Sequence, residues 1–173
     1  MIEFRPIADF PRGTLFAQLK DAYGFDERWE TLFGESWKEY DDFIYGNQKI
    51  ALRCGFITVL DGVPIGHITW DPRKAPESVE VGHNCILCRY KGNGYGKAQL
   101  AEALARIREE WKPEKIIVTT NDNLIAKHNY EACGFTLKMR KENTDESAFS
   151  GDYLYYEIDL RSACFLKKME NPK

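Results

Sequence analysis

The sequence has 173 residues, of which 43% are hydrophobic, 13% aromatic and 29% charged. This composition is typical of a globular protein with a full core, and it excludes a disordered or low-complexity chain. Lys and Arg total 24 and Asp and Glu total 27, so the net charge of −3 gives no general attraction to nucleic acid or to an anionic membrane. We therefore expect one domain over residues 1–173, with a C-terminal tail at 161–173, and no nucleic-acid partner.

Neither a membrane span nor an export signal is expected. Apolar runs such as 56–60 and 116–118 are far shorter than the roughly 18 to 20 residues that a membrane-spanning helix needs. The first ten residues lack an apolar signal core and contain Glu3 and Asp9. We therefore expect a cytoplasmic protein without a membrane partner.

The 5 cysteines are an odd number and lack the dense pattern of a secreted disulfide scaffold, so we expect reduced thiols. Cys85 and Cys88 form a CxxC pair in a predicted strand. Residues three apart on a strand face opposite ways, and no second close Cys or His pair completes a tetrahedral site. We therefore expect no metal.

The N-terminal half predicts a strand at 2–7, two helices and a hairpin. The first helix is marked by Leu15, Phe16 and Leu19, and the second by the aromatic stripe Trp29, Phe33, Trp37 and Tyr40. This stripe is most simply the core face of its helix. Two strands at 48–58 and 64–70 flank the turn signal Asp61-Gly62, which predicts a hairpin.

The C-terminal half alternates strands and helices. The predicted elements are a strand at 79–88, a helix at 97–111, a strand at 115–120, a helix at 123–133 that Gly134 caps, and strands at 135–141 and 153–160. The order β-α-α-β-β-β-α-β-α-β-β predicts an α/β (α+β) fold. It has a mixed sheet of seven strands with about four helices on its faces.

The segment KGNGYGKAQL at 91–100 places three glycines between a strand and a helix. Backbone N–H groups of such a turn converge at the positive end of a helix dipole, which predicts a phosphate or pyrophosphate site. A P-loop would need Ser or Thr after Lys97, where Ala98 stands, and a dinucleotide fingerprint would need glycine at Gln99. A turn that serves only chain reversal is the remaining alternative.

Residues 80–111 resemble motif A of the GNAT superfamily, the acyl-CoA-dependent N-acetyltransferases, whose signature is [QR]-x-x-G-x-[GA]. Lys91, Gly94 and Gly96 occupy the signature positions. The family's second motif has its counterpart in Asn123, Ala126, Tyr130, Gly134 and Phe135. Lys91 departs from the signature, because a lysine cannot form the planar bidentate contact of an arginine with phosphate.

This resemblance implies a mostly antiparallel seven-stranded sheet and an acetyl-CoA co-substrate. The implied cofactor-binding residues are Ile86, Lys91, Gly92, Asn93, Gly94, Tyr95, Gly96, Lys97 and Asn123. The amides between Gly92 and Lys97 hold the pyrophosphate, and the backbone near Ile86 pairs with pantetheine. An N-cap role is an equally good interpretation of Asn123.

The resemblance also points to two catalytic residues. Glu80 lies where several members carry a glutamate that accepts the proton of the amine, and its alternative is a solvated strand carboxylate. Strand alternation places Glu80 and His83 on opposite faces, although a bulge would change that parity and favour His83. Tyr130 lies where the family commonly places its general acid, and its alternative is an aromatic packing residue. His67 and His128 are weaker candidates.

The predicted function is therefore transfer of an acetyl group to a primary amine by direct attack in a ternary complex. The acceptor is a small-molecule or peptide amine, and acidic residues in the flanking loops give a weak indication that it is cationic: Asp71, Glu77, Asp145, Glu146 and Asp152. The alternatives are a non-catalytic acyl-CoA-binding sensor and a phosphate-binding protein unrelated to coenzyme A. The sequence leaves the oligomeric state open, a homodimer included.

Overall fold

The computed structural model describes residues 1–144 and 151–161. Its strands are β1 (Ile2–Arg5), β2 (Gly55–Leu60), β3 (Val63–Asp71), β4 (Ser78–Ile86), β5 (Lys115–Asn121), β6 (Thr136–Lys141) and β7 (Tyr153–Asp159). Its helices are α1 (Thr14–Ala22), α2 (Arg28–Gly46), α3 (Gln48–Arg53), α4 (Tyr95–Trp111) and α5 (Ala126–Ala132). Two 3₁₀ turns lie at Ile7–Asp9 and Cys88–Tyr90.

The strands form a 7-stranded sheet in the order β1-β2-β3-β4-β5-β7-β6. The pairs β1–β2, β2–β3, β5–β7 and β6–β7 are antiparallel, whereas β4 runs parallel to β5. The mostly antiparallel sheet of mixed direction that the sequence predicts is thus confirmed.

The chain divides into two compact units, Met1–Trp70 with His83–Ala103, and Asp71–Gly82 with Leu104–Lys173. Strand β4 and helix α4 each contribute residues to both. In the first unit, the buried Asp41 of α2 accepts hydrogen bonds from the amides of Gly13, Leu15 and Phe16 at 2.8, 3.0 and 3.1 Å. These bonds satisfy the N-terminus of α1, so a carboxylate of α2 fixes where α1 begins.

The hairpin of β2 and β3 confirms the predicted turn, since Asp61 and Gly62 both have positive φ, 49° and 82°. The strand predicted at 48–58 is wrong in its first half, because residues Gln48–Arg53 form α3. Ala51 of this helix is buried in a cluster with Ile7, Leu15 and other apolar side chains. Burial of that one face selects the helix, and β2 begins only at Gly55.

In the second unit, alternate residues of β5 and β7 are buried: Ile116, Val118, Leu154, Tyr156 and Ile158. Helix α5 ends as predicted at Gly134, whose φ is 95°. The amide of Gly134 donates to the carbonyl of Glu131 at 3.1 Å and that of Phe135 donates to Tyr130 at 3.0 Å. This pair of bonds is a Schellman motif, and it requires a residue that tolerates positive φ.

Candidate functional site

The glycine turn of the first unit leaves its backbone open. Gly92 and Gly94 have φ of 80° and 81°, and a Cβ atom at either position would meet nothing within 4 Å. The carbonyl of Gly94 accepts the amide of Ala98 at 3.1 Å, which is the first i to i−4 bond of α4. The amides of Tyr95 and Gly96 precede that bond and lie at the positive end of the helix dipole. The turn can therefore receive an anionic group.

Side chains around the turn stabilise its shape. The Asn93 amide nitrogen donates to the carbonyls of Tyr90 at 3.2 Å and Lys91 at 3.1 Å. The ring of Tyr95 lies 6.5 Å from that of Tyr90. Lys97 is exposed on the first turn of α4. The Asn93 hydrogen bonds link the turn to the two residues that precede Gly92.

Lys91 has a structural partner that the sequence does not indicate. Its ammonium group donates to the carbonyl of Ala22 at the C-terminus of α1 and lies 5.2 Å from the centre of the Phe25 ring. Nearby, the amide of Cys88 donates to the carboxylate of Asp21 at 2.7 Å. A cation at a helix C-terminus is favoured by the helix dipole. Lys91 thus ties the segment before the glycine turn to α1.

Gln99 is a second positioning residue that the sequence analysis missed. It is fully buried on α4, where its amide nitrogen donates to Asn84 Oδ1 at 2.7 Å and to the carbonyl of His67 at 2.9 Å. Its oxygen accepts the hydroxyl of Thr58 at 2.6 Å. The sequence feature that could have indicated this role is a polar residue next to Leu100, on the apolar face of α4. Gln99 thus fixes the start of α4 against β2, β3 and β4. Ile86, the predicted pantetheine contact, is buried at the end of β4.

Two histidines of the first unit have different surroundings. His67 is fully buried, and its Nδ1 lies 2.8 Å from Gln18 Oε1 and 3.4 Å from the Cys85 sulfur. Burial, with a smaller contribution from the nearby His83, lowers the pKa of His67 to about 3. His83 is half-buried against the ring of Tyr40. His67 is therefore a neutral core residue at neutral pH.

The aromatic stripe of α2 is only partly core. Trp37 is buried with Leu19, Ala22 and Cys85, as the sequence predicts. Trp29 and Phe33 stack at 5.6 Å, and Phe33 remains 36% exposed. The stripe therefore extends from the core to the surface of the first unit.

In the second unit, Glu80 is exposed on β4 while its neighbours Val79 and Val81 are buried. It stands opposite Ile117 in the parallel ladder with β5. The pKa of Arg73 is raised chiefly by its hydrogen bonds to Asp71, and Glu80 adds a smaller electrostatic contribution. Glu80 is thus a solvated carboxylate with a guanidinium group in its neighbourhood.

Tyr130 of the second unit is 3% exposed on α5. Its ring packs against Phe135 at 5.6 Å and Tyr156 at 6.2 Å. The Tyr156 hydroxyl donates to Glu131 at 2.7 Å. These contacts hold the Tyr130 ring through its aromatic faces and edges.

Asn123 precedes α5 rather than capping it, because the N-cap residue is Ile125 and makes no side-chain cap bond. The amide of Asn123 donates to Asn121 Oδ1 at 2.9 Å. Arg140 lies 2.8 Å from both Asp122 and Asp152, which fixes this loop against the start of β7. The simple N-cap interpretation of Asn123 is therefore wrong.

Two of the five predicted acidic loop residues pair with arginines. Asp71 pairs with Arg73 at 2.5 Å and Asp152 with Arg140, whereas Glu77 is exposed. Asp145 and Glu146 lie outside the described residues. His128 is a surface residue, 4.0 Å from Glu131. The cationic character of the acceptor stays a prediction.

Residues 18–135 match the model of the acetyltransferase (GNAT) family. The chain belongs to this family. It is an acetyl-CoA-dependent acetyltransferase, and acetyl-CoA is its co-substrate. No curated protein matches the sequence.

Solved structures share the fold of this acetyltransferase. A GNAT-family protein from Desulfovibrio desulfuricans has a TM-score of 0.72 and 15% identity, over 92% of this chain and 99% of the other. A GNAT-family acetyltransferase from Bacillus anthracis has a TM-score of 0.66 and 17% identity, over 91% and 94%. A protein from Salmonella typhimurium, solved with its cofactor acetyl-CoA, has a TM-score of 0.67 and 12% identity, over 94% of each chain. At these identities the likeness is one of fold.

Two further findings concern the described part of the acetyltransferase. It contains no group of three or more His, Cys, Asp or Glu residues that could hold a metal ion. None of its helices within residues 1–144 and 151–161 has the length and apolar character needed to span a bilayer.

Proposed function

We propose that this acetyltransferase moves the acetyl group to a primary amine by direct attack of the amine on the bound thioester, in a ternary complex. The observation that carries the proposal is the exposed glycine turn at the N-terminus of α4, where Gly92 and Gly94 have positive φ and a Cβ atom at either position would meet nothing within 4 Å. Such a turn at a helix N-terminus suits a pyrophosphate. The direct route needs no nucleophilic cysteine.

In this proposal the amides of residues 92–97 hold the pyrophosphate of acetyl-CoA. The backbone at Ile86 pairs with the pantetheine arm as an added strand, and Asn123 contacts the cofactor from the loop before α5. Lys91 contributes positive charge, but its ammonium group already binds the carbonyl of Ala22. Backbone amides therefore carry most of the phosphate binding.

The acceptor amine must lose a proton before it can attack. An alkylamine with a pKa of about 10.4 is neutral in only about one molecule in 2,500 at pH 7, which corresponds to about 4.6 kcal/mol. We assign the removal of this proton to Glu80, acting directly or through a held water. The exposure of its carboxylate supports the assignment, because the proton can pass on to solvent.

The departing coenzyme A thiolate needs a proton or a strong hydrogen bond, and we assign this role to Tyr130. Transfer from a phenol of pKa about 10 to a thiolate whose acid has a pKa of about 8.5 is uphill by about 2 kcal/mol. Hydrogen bonding that strengthens as charge develops on sulfur is therefore as effective as full transfer. The acceptor is a small-molecule or peptide amine.

The test is a panel of primary amines, including spermidine, tyramine, lysine and a short peptide with a free N-terminus, incubated with acetyl-CoA while thiol release is followed. A thermal shift with coenzyme A is measured alongside. We expect stabilisation by coenzyme A and amine-dependent thiol release. Stabilisation without release for any amine would contradict the proposed reaction, and absence of both would also contradict the assigned pyrophosphate site.

A further inference from the structure

Gln99 joins the first turn of α4 to the end of β4. Its side chain is fully buried, and its amide nitrogen faces three oxygens: Asn84 Oδ1 at 2.7 Å, the His67 carbonyl at 2.9 Å and the Cys85 carbonyl at 3.2 Å. Its oxygen accepts the hydroxyl of Thr58 at 2.6 Å. Both ends of the amide are therefore bonded to groups from β2, β3 and β4.

These partners fix the orientation of the Gln99 amide. A rotation of the amide by 180° would turn its oxygen toward the carbonyls of His67 and Cys85, which cannot donate a hydrogen bond. Loss of the amide would leave these buried acceptors without a partner from α4, which is unfavourable. The side chain therefore resists any movement of α4 away from the end of β4.

Gly66 of β3 lies against the same part of β4. It is buried, and a Cβ atom there would lie 2.2 Å from the Cys85 carbonyl oxygen and 3.0 Å from Ile86 Cα. A Cβ atom does not approach an oxygen this closely, so a larger residue at position 66 would displace the Cys85 carbonyl. Next to this contact, the Leu87 amide donates to the carbonyl of Ile65 at 2.8 Å. The backbone at Cys85 and Ile86 thus lies against β3 at a distance that requires glycine.

The Cys85 carbonyl is the point at which these contacts meet. It accepts a hydrogen bond from Gln99, it lies against Gly66, and Ile86 is the next residue. Gln99 lies two residues after the glycine turn at 92–97, which is less than one helical turn. One side chain therefore connects the backbone next to Ile86 with the glycine turn.

We propose that Gln99 and Gly66 set the position of the β4 backbone at Ile86 relative to the glycine turn, so that coenzyme A binds through its pyrophosphate and its pantetheine arm at the same time. This inference rests on the proposed function, which assigns the pyrophosphate to the amides of residues 92–97 and the pantetheine arm to Ile86. Because Gln99 is fully buried, it is a positioning residue and does not contact the ligand.

The covalent link between the two parts of coenzyme A explains why the relative position of their binding sites matters. Once the pyrophosphate is bound, the pantetheine arm meets β4 as part of the same molecule, at a high effective concentration that depends on geometry. A displacement of β4 relative to the turn therefore lowers the affinity for whole coenzyme A. It leaves unchanged the affinity for a ligand that reaches only the turn.

The test compares two ligands by calorimetry: coenzyme A, and 3′-phospho-ADP, which is the half of coenzyme A that ends at the pyrophosphate. Gln99→Leu keeps a side chain of similar size and removes its hydrogen bonds, and Gly66→Ala adds a methyl group against the Cys85 carbonyl. We expect each variant to weaken coenzyme A binding by about tenfold or more, or about 1.4 kcal/mol. Each should change the affinity for 3′-phospho-ADP by less than about twofold.

Gln18→Leu is the matched control, because Gln18 is also a buried glutamine of the first unit. It lies on α1, its oxygen is 2.8 Å from Nδ1 of His67, and it has no assigned role in binding. The variant loses a buried hydrogen bond as Gln99→Leu does, so its free energy of unfolding should fall as well. Its affinities for both ligands should stay within about twofold of wild type, because Gln18 does not join α4 to β4.

Wild-type affinity for coenzyme A in a folded Gln99→Leu or Gly66→Ala would overturn the inference. Equal weakening of both ligands would also overturn it, since these residues would then shape only the turn. If neither variant folds, hydrogen–deuterium exchange of wild type decides, because 3′-phospho-ADP bound at the turn should slow exchange in a peptide that contains residues 85–87. Unchanged exchange there would contradict the inference.

The proposed function fails on a different readout. If wild type binds both ligands but releases no thiol with any amine of the panel, the proposed reaction is contradicted and the inference about Gln99 and Gly66 stands. If wild type does not bind coenzyme A, both are overturned.

Discussion

Tyr130 is held by packing that does not involve its hydroxyl. The ring lies against Phe135 and Tyr156, and the Tyr130 carbonyl closes α5. Tyr130→Phe preserves these contacts and removes only the oxygen. A purely structural tyrosine therefore predicts a change in unfolding free energy of about 1 kcal/mol and little change in turnover.

The assignment of Tyr130 as the acid predicts a larger effect of Tyr130→Phe than a structural role does. We expect kcat to fall by about 10² to 10⁴, because the hydrogen bond strengthens only as charge develops on sulfur. Affinity for coenzyme A, measured by titration, should be almost unchanged. A wild-type kcat under conditions where chemistry limits the rate would end the assignment of Tyr130 as the acid and leave the fold unaffected.

The buried His67 predicts a loss of stability in mild acid. Its pKa falls from 6.5 in the unfolded chain to about 3 in the folded protein, chiefly through burial. At pH 5 the unfolded state binds a proton that the folded state does not, so the free energy of unfolding falls as pH falls below about 6.5. The loss between pH 7 and 5 from this residue is about 2 kcal/mol.

Urea denaturation of wild type and His67→Gln at pH 7 and pH 5 measures this contribution. The variant should be less stable at pH 7, since it loses a packed ring, but its stability should depend less on pH by about 2 kcal/mol over this interval. Equal pH dependence in the two proteins would show that His67 is not neutralised by burial.

At the residue scale, the sequence predicted the structural role of a residue better than its side-chain contacts. It favoured a structural role for His67, which burial confirms. It missed the bonds of Gln99 and the engagement of Lys91 with Ala22, because each joins residues distant in the chain. Side-chain partners of this kind depend on how α1, α4 and the strands meet, which local pattern does not encode.

At the scale of elements, the glycine turn before α4 depends on residues that tolerate positive φ. Valine at position 94 would be strained at φ 81° and would also place a branched side chain in the open space before the helix. We expect Gly94→Val to weaken coenzyme A binding at least tenfold, or about 1.4 kcal/mol. Calorimetry on the folded variant measures this.

Gly62 offers a matched control, because its φ is 82° and a Cβ there also meets nothing within 4 Å. It lies in the turn between β2 and β3 and has no assigned role in binding. Gly62→Val should therefore lose similar stability and keep wild-type affinity for coenzyme A. Equal affinities in the two variants would show that the turn before α4 does not hold the pyrophosphate.

Elements with a local chemical signal were predicted correctly. Asp61-Gly62 made the hairpin turn and Gly134 ended α5, since both positions need positive φ. The segment Gln48–Arg53 carries no such signal, and its Ile50 and Ala51 suit either a strand or a helix. Packing of Ala51 against Ile7 and Leu15 decided between them, and that contact is not visible in the sequence.

For the whole molecule, the order of elements was enough to predict a mixed sheet, and two motifs placed the chain in its family. The remaining claim is that acetyl transfer occurs by direct attack in a ternary complex. The residues assigned to this reaction lie on or next to β4, α4 and α5. They function together only if acetyl-CoA and the amine are bound at the same time.

Initial-rate kinetics with acetyl-CoA and the active amine varied together test this claim most directly. Direct attack predicts double-reciprocal lines that intersect, and no acetylated enzyme in intact mass spectra after incubation with acetyl-CoA alone. Parallel lines together with a stoichiometric acetyl-enzyme would indicate a covalent intermediate and would contradict the mechanism proposed here.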